Sequence, residues 1–484
     1  MPGGSPMSAI SNLTIPALLH ARAQADPERE ALIVHGGGTG AFGARPGSLT
    51  FAEWARGATA VARGLAARGV GRGDRVGLVF GNGDWIDYAV AFCGVTAAGA
   101  VAVPLSDRLA ESEIDAALAH CGAATVLRPG DLLLGDGPDP EPARPGDVAQ
   151  ILLTSGTTGR PKGVAATHAN LAFGHGGPRR PFAHSAHLAH AFPIGTNAGQ
   201  TMLVTALSAH PATVTLPRFT PGRFAALIED YHAGTVFLVP AMAVELLAAG
   251  VQDRHDLSCV RLLGSAAAPL PAPVAERLCT AFPRAAIVNY YTSTESYPAQ
   301  TIMMYDPDRP GSVGQAVGGG TVKIATASGE PVPAGTTGEV WLRSPAAPRA
   351  YWADERGSRE VFRDGWVRMG DLGRLDEDGY LYLVDRESDV IKSGAFKVST
   401  LHVEETAHEC PGVREAAAFG VPHPTLGMSV ALALVGSVTP QELRLFLADR
   451  LAPHERPARV VLMDALPRNH AGKVDKRLLR EGAR

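Results

Sequence analysis

The 484-residue chain is short of the features that mark several protein classes. Its five cysteines, Cys93, Cys121, Cys259, Cys279 and Cys410, are scattered, odd in number and without C-x-x-C spacing. That pattern excludes a disulfide framework and a cysteine-built zinc site, and leaves reduced core thiols. Neither sign of charge is in excess, with 44 Lys and Arg against 48 Asp and Glu and a net charge of −4. No basic stripe with interleaved aromatics occurs, so a nucleic-acid partner is not expected. There is no basic leader followed by apolar residues, and no uncharged apolar run of about 18 residues, which argues against secretion and a membrane span and points to the cytoplasm. Internal repeats and extended low-complexity tracts are missing too.

What is present is globular, 45% hydrophobic and 19% charged, and too long for one core, so two or more domains are expected. Residues 15–25 have helical spacing, 31–34 suit a strand, and 36–47 form a glycine-rich tip. Residues 49–68 read as an amphipathic helix with Thr50 as its cap. From 75 to 127 short apolar runs alternate with helical stretches, and the alternation resumes from 224 to 289. Such alternation predicts a parallel sheet covered on both faces. From about 311 the texture changes to short strands broken by turns, read as β-barrel-like, and from about 390 a smaller unit of roughly 95 residues follows. The fold class expected is α/β, with parallel subdomains, a barrel-like part and a small α+β unit.

The stretch that organises the chain is 153–164, LTSGTTGRPKGV. Glycines let backbone N–H groups approach an anion, hydroxyls add donors, and Lys162 behind Pro161 adds a cation. The apolar run 148–153 before it suits a buried strand, so the loop springs from a sheet edge as a phosphate cradle. It differs from the common nucleotide loop, because Gly156 and Gly159 are three apart and Lys162 precedes a glycine.

Three further stretches carry chemistry. Residues 289–295, NYYTSTE, end an apolar strand, where parallel sheets place ligands, and Glu295 there suits magnesium held against phosphates. The same residues also suit a strand-terminating turn with a capping hydroxyl. Residues 365–371 (GWVRMGD) and 380–386 (YLYLVDR) set Asp371 and Arg386 at two ends of a strand pair. A carboxylate there could accept both hydroxyls of a ribose, or be an exposed turn residue. Residues 466–473, LPRNHAGK, put Lys473 behind a glycine near the C-terminus.

Taken in this order, the four signals make the chain similar to the adenylate-forming superfamily of acyl-CoA synthetases, aryl-CoA ligases, firefly luciferase and peptide-synthetase adenylation domains, over residues 15–479. The resemblance implies a domain of residues 1–386 and a small mobile domain of 387–484. It implies that Thr154, Ser155, Gly156, Thr157, Thr158, Gly159 and Lys162 close over the β- and γ-phosphates of ATP. Ala266, Ala267 and Ala268 match a small-residue segment beside adenine, and Tyr291 and Thr294 match positions that line adenine and contact phosphate. Glu295 matches the magnesium ligand, Asp371 the ribose-binding aspartate, Arg386 the arginine beside it, and Lys473 the catalytic lysine. The acid pocket is expected among 193–200, 264–268 and 290–300, with Ser265, Tyr290, Thr196, Asn197 and Gly199 in contact with the acid.

The implied reaction joins a small-molecule acid to ATP as an acyl adenylate, releases pyrophosphate, and passes the acyl group to coenzyme A or a carrier-protein thiol; no carrier segment is evident within the chain. The sequence also departs from the family. Ser388 stands where the hinge usually has Asp or Lys, and Thr196 where coenzyme A ligases commonly have a histidine or aromatic. That leaves a second expectation, a ligase that stops at the adenylate or hands it to a carrier or an amine, with an unusual oxyacid as its substrate. An α-amino acid is disfavoured because the aspartate that would hold its amine is missing. A non-catalytic relative is disfavoured by the joint presence of Lys162, Glu295, Asp371 and Lys473. His184, His187 and His190 recur at every third residue, but on a strand such positions face opposite ways, against a metal site.

Overall fold

The protein is described from a computed structural model covering residues 13–37, 47–123, 125–154, 162–178, 180–394, 396–469 and 472–483. Three sheets carry it. In the first, His187–His190, Ala212–Thr215, Ala233–Leu238, Leu262–Ser265 and Ala286–Tyr291 run parallel. In the second, Arg75–Phe80, Val101–Ser106, Val148–Thr154 and Thr125–Leu127 run parallel, while Lys162–Thr167 returns antiparallel along Val148–Thr154. Helices Ile15–Ala25, Phe51–Ala66, Trp85–Ala97 and Asn197–Ser208 fill the space between these sheets in one apolar cluster that includes Trp54, Tyr88 and Phe92. Helices Pro221–Asp230, Pro240–Ala248 and Ala272–Ala281 cover the far face of the first sheet, and Glu111–Cys121 the far face of the second.

The helix boundaries follow local chemistry. Thr50 caps Phe51–Ala66 in a reciprocal capping box with Glu53, so the helix starts two residues later than periodicity alone suggests and Leu49 belongs to the strand Ser48–Thr50.

The expected barrel is an open sheet. Strands Thr301–Met304, Ser312–Ala316, Leu381–Arg386, Trp366–Leu375, Gly338–Arg343 and Thr321–Ala325 continue the first sheet by antiparallel pairing from Ala286–Tyr291 outwards. A run of short strands with turn residues has the same local signature whether the last strand meets the first or not. Closure is a matter of long-range pairing.

The third sheet holds Ile391–Ser393, Phe396–Val398, Val413–His423, Gly427–Gly436 and Arg459–Leu462, covered by Thr400–His408 and Pro440–Ala448 around Val403, Leu432 and Leu443. Among the described residues no helix is long and apolar enough to cross a membrane.

Candidate active site

Asp371 and Arg386 are register partners on adjacent antiparallel strands and therefore share a face. Arg386 Nε lies 3.5 Å from Asp371 Oδ1, and the Tyr291 hydroxyl donates to Oδ2 at 2.6 Å. Asp371 is 8% exposed. Burial pushes its carboxyl pKa up, while Arg386, Tyr291 and Lys473 pull it down. The Tyr291 phenol is pushed well above its usual range, first by burial and then by Asp371. An oriented carboxylate with lone pairs to spare can accept from a diol.

One turn beyond the end of Ala286–Tyr291 stands Glu295. Its Oε1 accepts from the Tyr351 hydroxyl at 3.2 Å. Tyr351 comes from the second sheet, on a two-residue strand paired with Lys162–Thr167, so this bond joins the ends of the two sheets. Lys162 Nζ sits 4.5 Å from the centre of the Tyr351 ring, and Thr154 faces Lys162 in register at the mouth of the hairpin. The strand Val148–Thr154 lies inside its sheet, between Lys162–Thr167 and Val101–Ser106, so the sheet edge expected for the loop is the end of the strand. Ser155, Gly156, Thr157, Thr158 and Gly159 lie outside the described residues.

Lys473 reaches this place from the C-terminal part of the chain. Its backbone N–H donates to Asn469 Oδ1 at 3.1 Å, Asn469 N–H donates to its carbonyl at 2.9 Å, and Gly472 before it has φ +80°. Burial lowers the ammonium pKa, Arg386 lowers it further, and Glu295 and Asp371 oppose them. The ammonium is thus within electrostatic range of all three. The residue keeps exposed surface although protein surrounds it, as expected in a cleft open to water on one side.

On the acid side, Thr196 is the N-cap of Asn197–Ser208: its hydroxyl accepts from Gly199 N–H at 3.1 Å and donates to the Pro193 carbonyl at 2.7 Å. A Cβ on Gly199 would lie 2.1 Å from that same carbonyl, so close backbone approach requires the glycine. Asn197 turns its Oδ1 to Arg349. Ser265, fully buried at the end of Leu262–Ser265, has an Oγ with no partner among the described residues. The Tyr290 ring packs at 5.5 Å on Phe237 over Gly264, and burial raises its phenol pKa to about 12. Ala266, Ala267 and Ala268 follow, with Ala267 at φ +74°. The three histidines go to different neighbours: His184 to Thr235, His187 to the Tyr231 carbonyl, and His190 into the core against Trp85.

The strands of both sheets thus deliver Thr154, Thr196, Ala266 and Glu295 from their C-terminal ends, the usual ligand position in such sheets. Sequence reasoning missed Tyr351, Arg349 and Asn170. Arg349 and Tyr351 follow a nondescript SPAAP stretch and Asn170 lies in a four-residue helix, so no periodicity or motif announces them. Beyond Arg386, Asp385 accepts from both the N–H and hydroxyl of Thr400, and Asp389 lies 3.8 Å from Lys476 and 3.6 Å from Arg480.

The family described as AMP-binding enzyme matches residues 19–136 and 128–352, and the AMP-binding enzyme C-terminal domain matches 402–473. A feruloyl-CoA synthase of Amycolatopsis sp is 34% identical over 466 residues, 89% of this chain and 93% of that one. ATP-bound MatB from Rhodopseudomonas palustris superposes with a TM-score of 0.83 at 28% identity, covering 97% of this chain and 99% of that one. The amide bond synthetase McbA from Marinactinospora thermotolerans gives 0.81 at 26% identity, covering 97% and 99%. Two domain matches in order over a shared fold establish that the chain belongs to the AMP-binding enzyme family, the adenylate-forming superfamily, as an AMP-forming acid–thiol ligase.

Proposed function

We propose that the protein activates a compact or aromatic carboxylic acid as its acyl adenylate, releases pyrophosphate, and passes the acyl group to the thiol of coenzyme A. The observation that carries the reading is the Tyr291–Asp371–Arg386 cluster, with Lys473 and Glu295, drawn from distant parts of the chain, in electrostatic reach of it. A carboxylate attacking an α-phosphate faces repulsion between like charges. In this reading the Lys473 ammonium neutralises the charge that builds at phosphorus. Asp371, oriented by Tyr291, holds the ribose and so fixes the α-phosphate along the cleft. Lys162, Thr154 and residues 155–159 take the outer phosphates.

Glu295 fits a magnesium ion. Tyr351 occupies one of its oxygens, its ion pairs among the described residues are none, and a carboxylate retains lone pairs for a hard cation. When bound, magnesium supplies neutralisation of phosphate charge.

Support for a compact or aromatic acid comes from the pocket floor. A Cβ at Gly264 would meet Phe237 at 2.6 Å and Tyr290 at 2.9 Å, so rings already occupy the depth a long alkyl chain would need. The feruloyl-CoA synthase likeness points the same way. For thiol transfer the unit of residues 387–484 swings about the segment that follows Arg386, withdrawing Lys473 and opening a path to the acyl carbon. ATP and free thiols are cytoplasmic resources, and Cys93, Cys121, Cys259, Cys279 and Cys410 are unpaired here.

The likeness to an amide bond synthetase favours a second reading, transfer to an amine, and a carrier-protein thiol would meet the same chemistry. Pyrophosphate and AMP release over a panel of aromatic, short and long acids, each with coenzyme A, an amine or neither, separates these readings. Release with aromatic or short acids, and thioester only with coenzyme A, is the expected result. No ATP consumption with any acid contradicts it.

A further inference from the structure

Arg349 lies behind the site, and none of the roles above uses it. It is 4% exposed, and its hydrogen-bond partners among the described residues are all neutral. Its Nε–H donates to Asn170 Oδ1 at 2.9 Å, and Nη1 donates to the Thr294 carbonyl at 2.7 Å and to Asn197 Oδ1 at 3.3 Å. The guanidinium also lies over the Tyr297 ring, 5.4 Å from its centre. Asn170 extends the node by donating to the carbonyls of Tyr297 and Ala347 at 3.3 and 2.6 Å. Burial lowers the Arg349 pKa to about 10, which leaves it cationic at neutral pH.

Burying a charge costs stability, and the one carboxylate that offsets the burial, Glu295, makes no salt bridge to Arg349 among the described residues, so packing does not account for an arginine here. Geometry does. A planar fork ties three segments to its own chain, which leads to Tyr351 and through it to Glu295: the Thr294–Glu295 turn, the helix that begins at Asn197, and the short helix that holds Asn170. We propose that Arg349 is a positioning residue that fixes the Thr294–Glu295 turn against the start of the acid-side helix, so that the acid and the charge-neutralising groups keep one separation. The inference rests on the adenylation reading above.

A misplacement of about 1 Å in reacting geometry costs roughly 100-fold in rate. With an acid turned over by the full-length wild type, Arg349→Met, which keeps the stem, should lose about 100-fold in kcat/KM for the acid, with the half-saturating magnesium concentration raised. Arg349→Lys, a point charge without the fork, should recover only part. Asn197→Ala removes one of the three bonds and should raise the acid KM by about threefold or more while the ATP KM stays put. A role confined to folding would move the melting temperature and the active fraction but neither the acid KM nor the magnesium midpoint. Arg349→Lys equal to wild type on both counts overturns the proposal. If the Arg349 variants do not fold, an unchanged acid KM in Asn197→Ala overturns it. A wild type that consumes ATP with no acid overturns the adenylation reading instead.

Discussion

At Lys473 two demands pull against each other. The ammonium has to be charged to neutralise phosphate, yet burial and Arg386 both lower its pKa, with Glu295 and Asp371 restoring part of the loss. The charged form is therefore lost at a lower pH than for a free lysine. Adenylation should fall on an alkaline limb that starts below the free-lysine range, and Lys473→Ala should cut acid-dependent pyrophosphate release by about 100-fold or more. A rate–pH profile and a single-turnover assay check both. Ala267 poses a different question. An L-residue at φ +74° carries roughly 1–2 kcal/mol of steric cost, and glycine is free of it at the expense of unfolded-state entropy. Ala267→Gly should stabilise the protein by about 0.5–1 kcal/mol, read as a higher denaturant midpoint. A lower midpoint would show that the loop needs the methyl group.

The helix Asn197–Ser208 shows how one element can serve fold and site at once. Thr196 caps it, and both functions of its hydroxyl are engaged, accepting from Gly199 and donating to Pro193. Thr196→Ala should therefore cost about 1 kcal/mol of stability, and Thr196→Ser should restore it. If thermal and denaturant unfolding show no change in Thr196→Ala while the acid KM rises, the hydroxyl serves the ligand instead of the helix. Seen from the sequence, this position was legible only as a departure from a family pattern. The turn that makes it a cap depends on where the strand His187–His190 ends and how tightly Gly199 passes Pro193.

On the scale of the whole molecule, a titratable group joins parts of the chain far apart in sequence. Glu405 on Thr400–His408 turns its Oε1 towards Gly311, 3.9 Å from where a Cβ there would stand. Burial and the like charges of Glu404 and Glu409 raise its pKa to about 7 from 4.5. A raised carboxyl pKa means that the folded molecule holds the proton more tightly than the unfolded chain does. The cost to the fold is absent below pH 4.5, grows as pH rises, and is complete above about 7. Glu405→Gln should therefore raise the denaturant midpoint more at pH 8 than at pH 6. An equal effect at both pH values would mean that this carboxyl does not weigh on the fold.

The sequence alone determined the alternation of strands and helices and the membership of the AMP-binding enzyme family, because these are read from local patterns: periodicity, capping and short motifs. The helix at Phe51–Ala66 was legible in the same way, through Thr50 and Glu53, three positions apart and joined in a capping box. Only the tertiary structure decided that the later strands extend an open sheet, that Tyr351 crosses from the second sheet to Glu295, and that Arg349 and Asn170 knot three segments together. Those features rest on contacts between residues far apart in the chain, 179 positions in the case of Arg349 and Asn170, and no local regularity of side chains encodes a pairing at that distance.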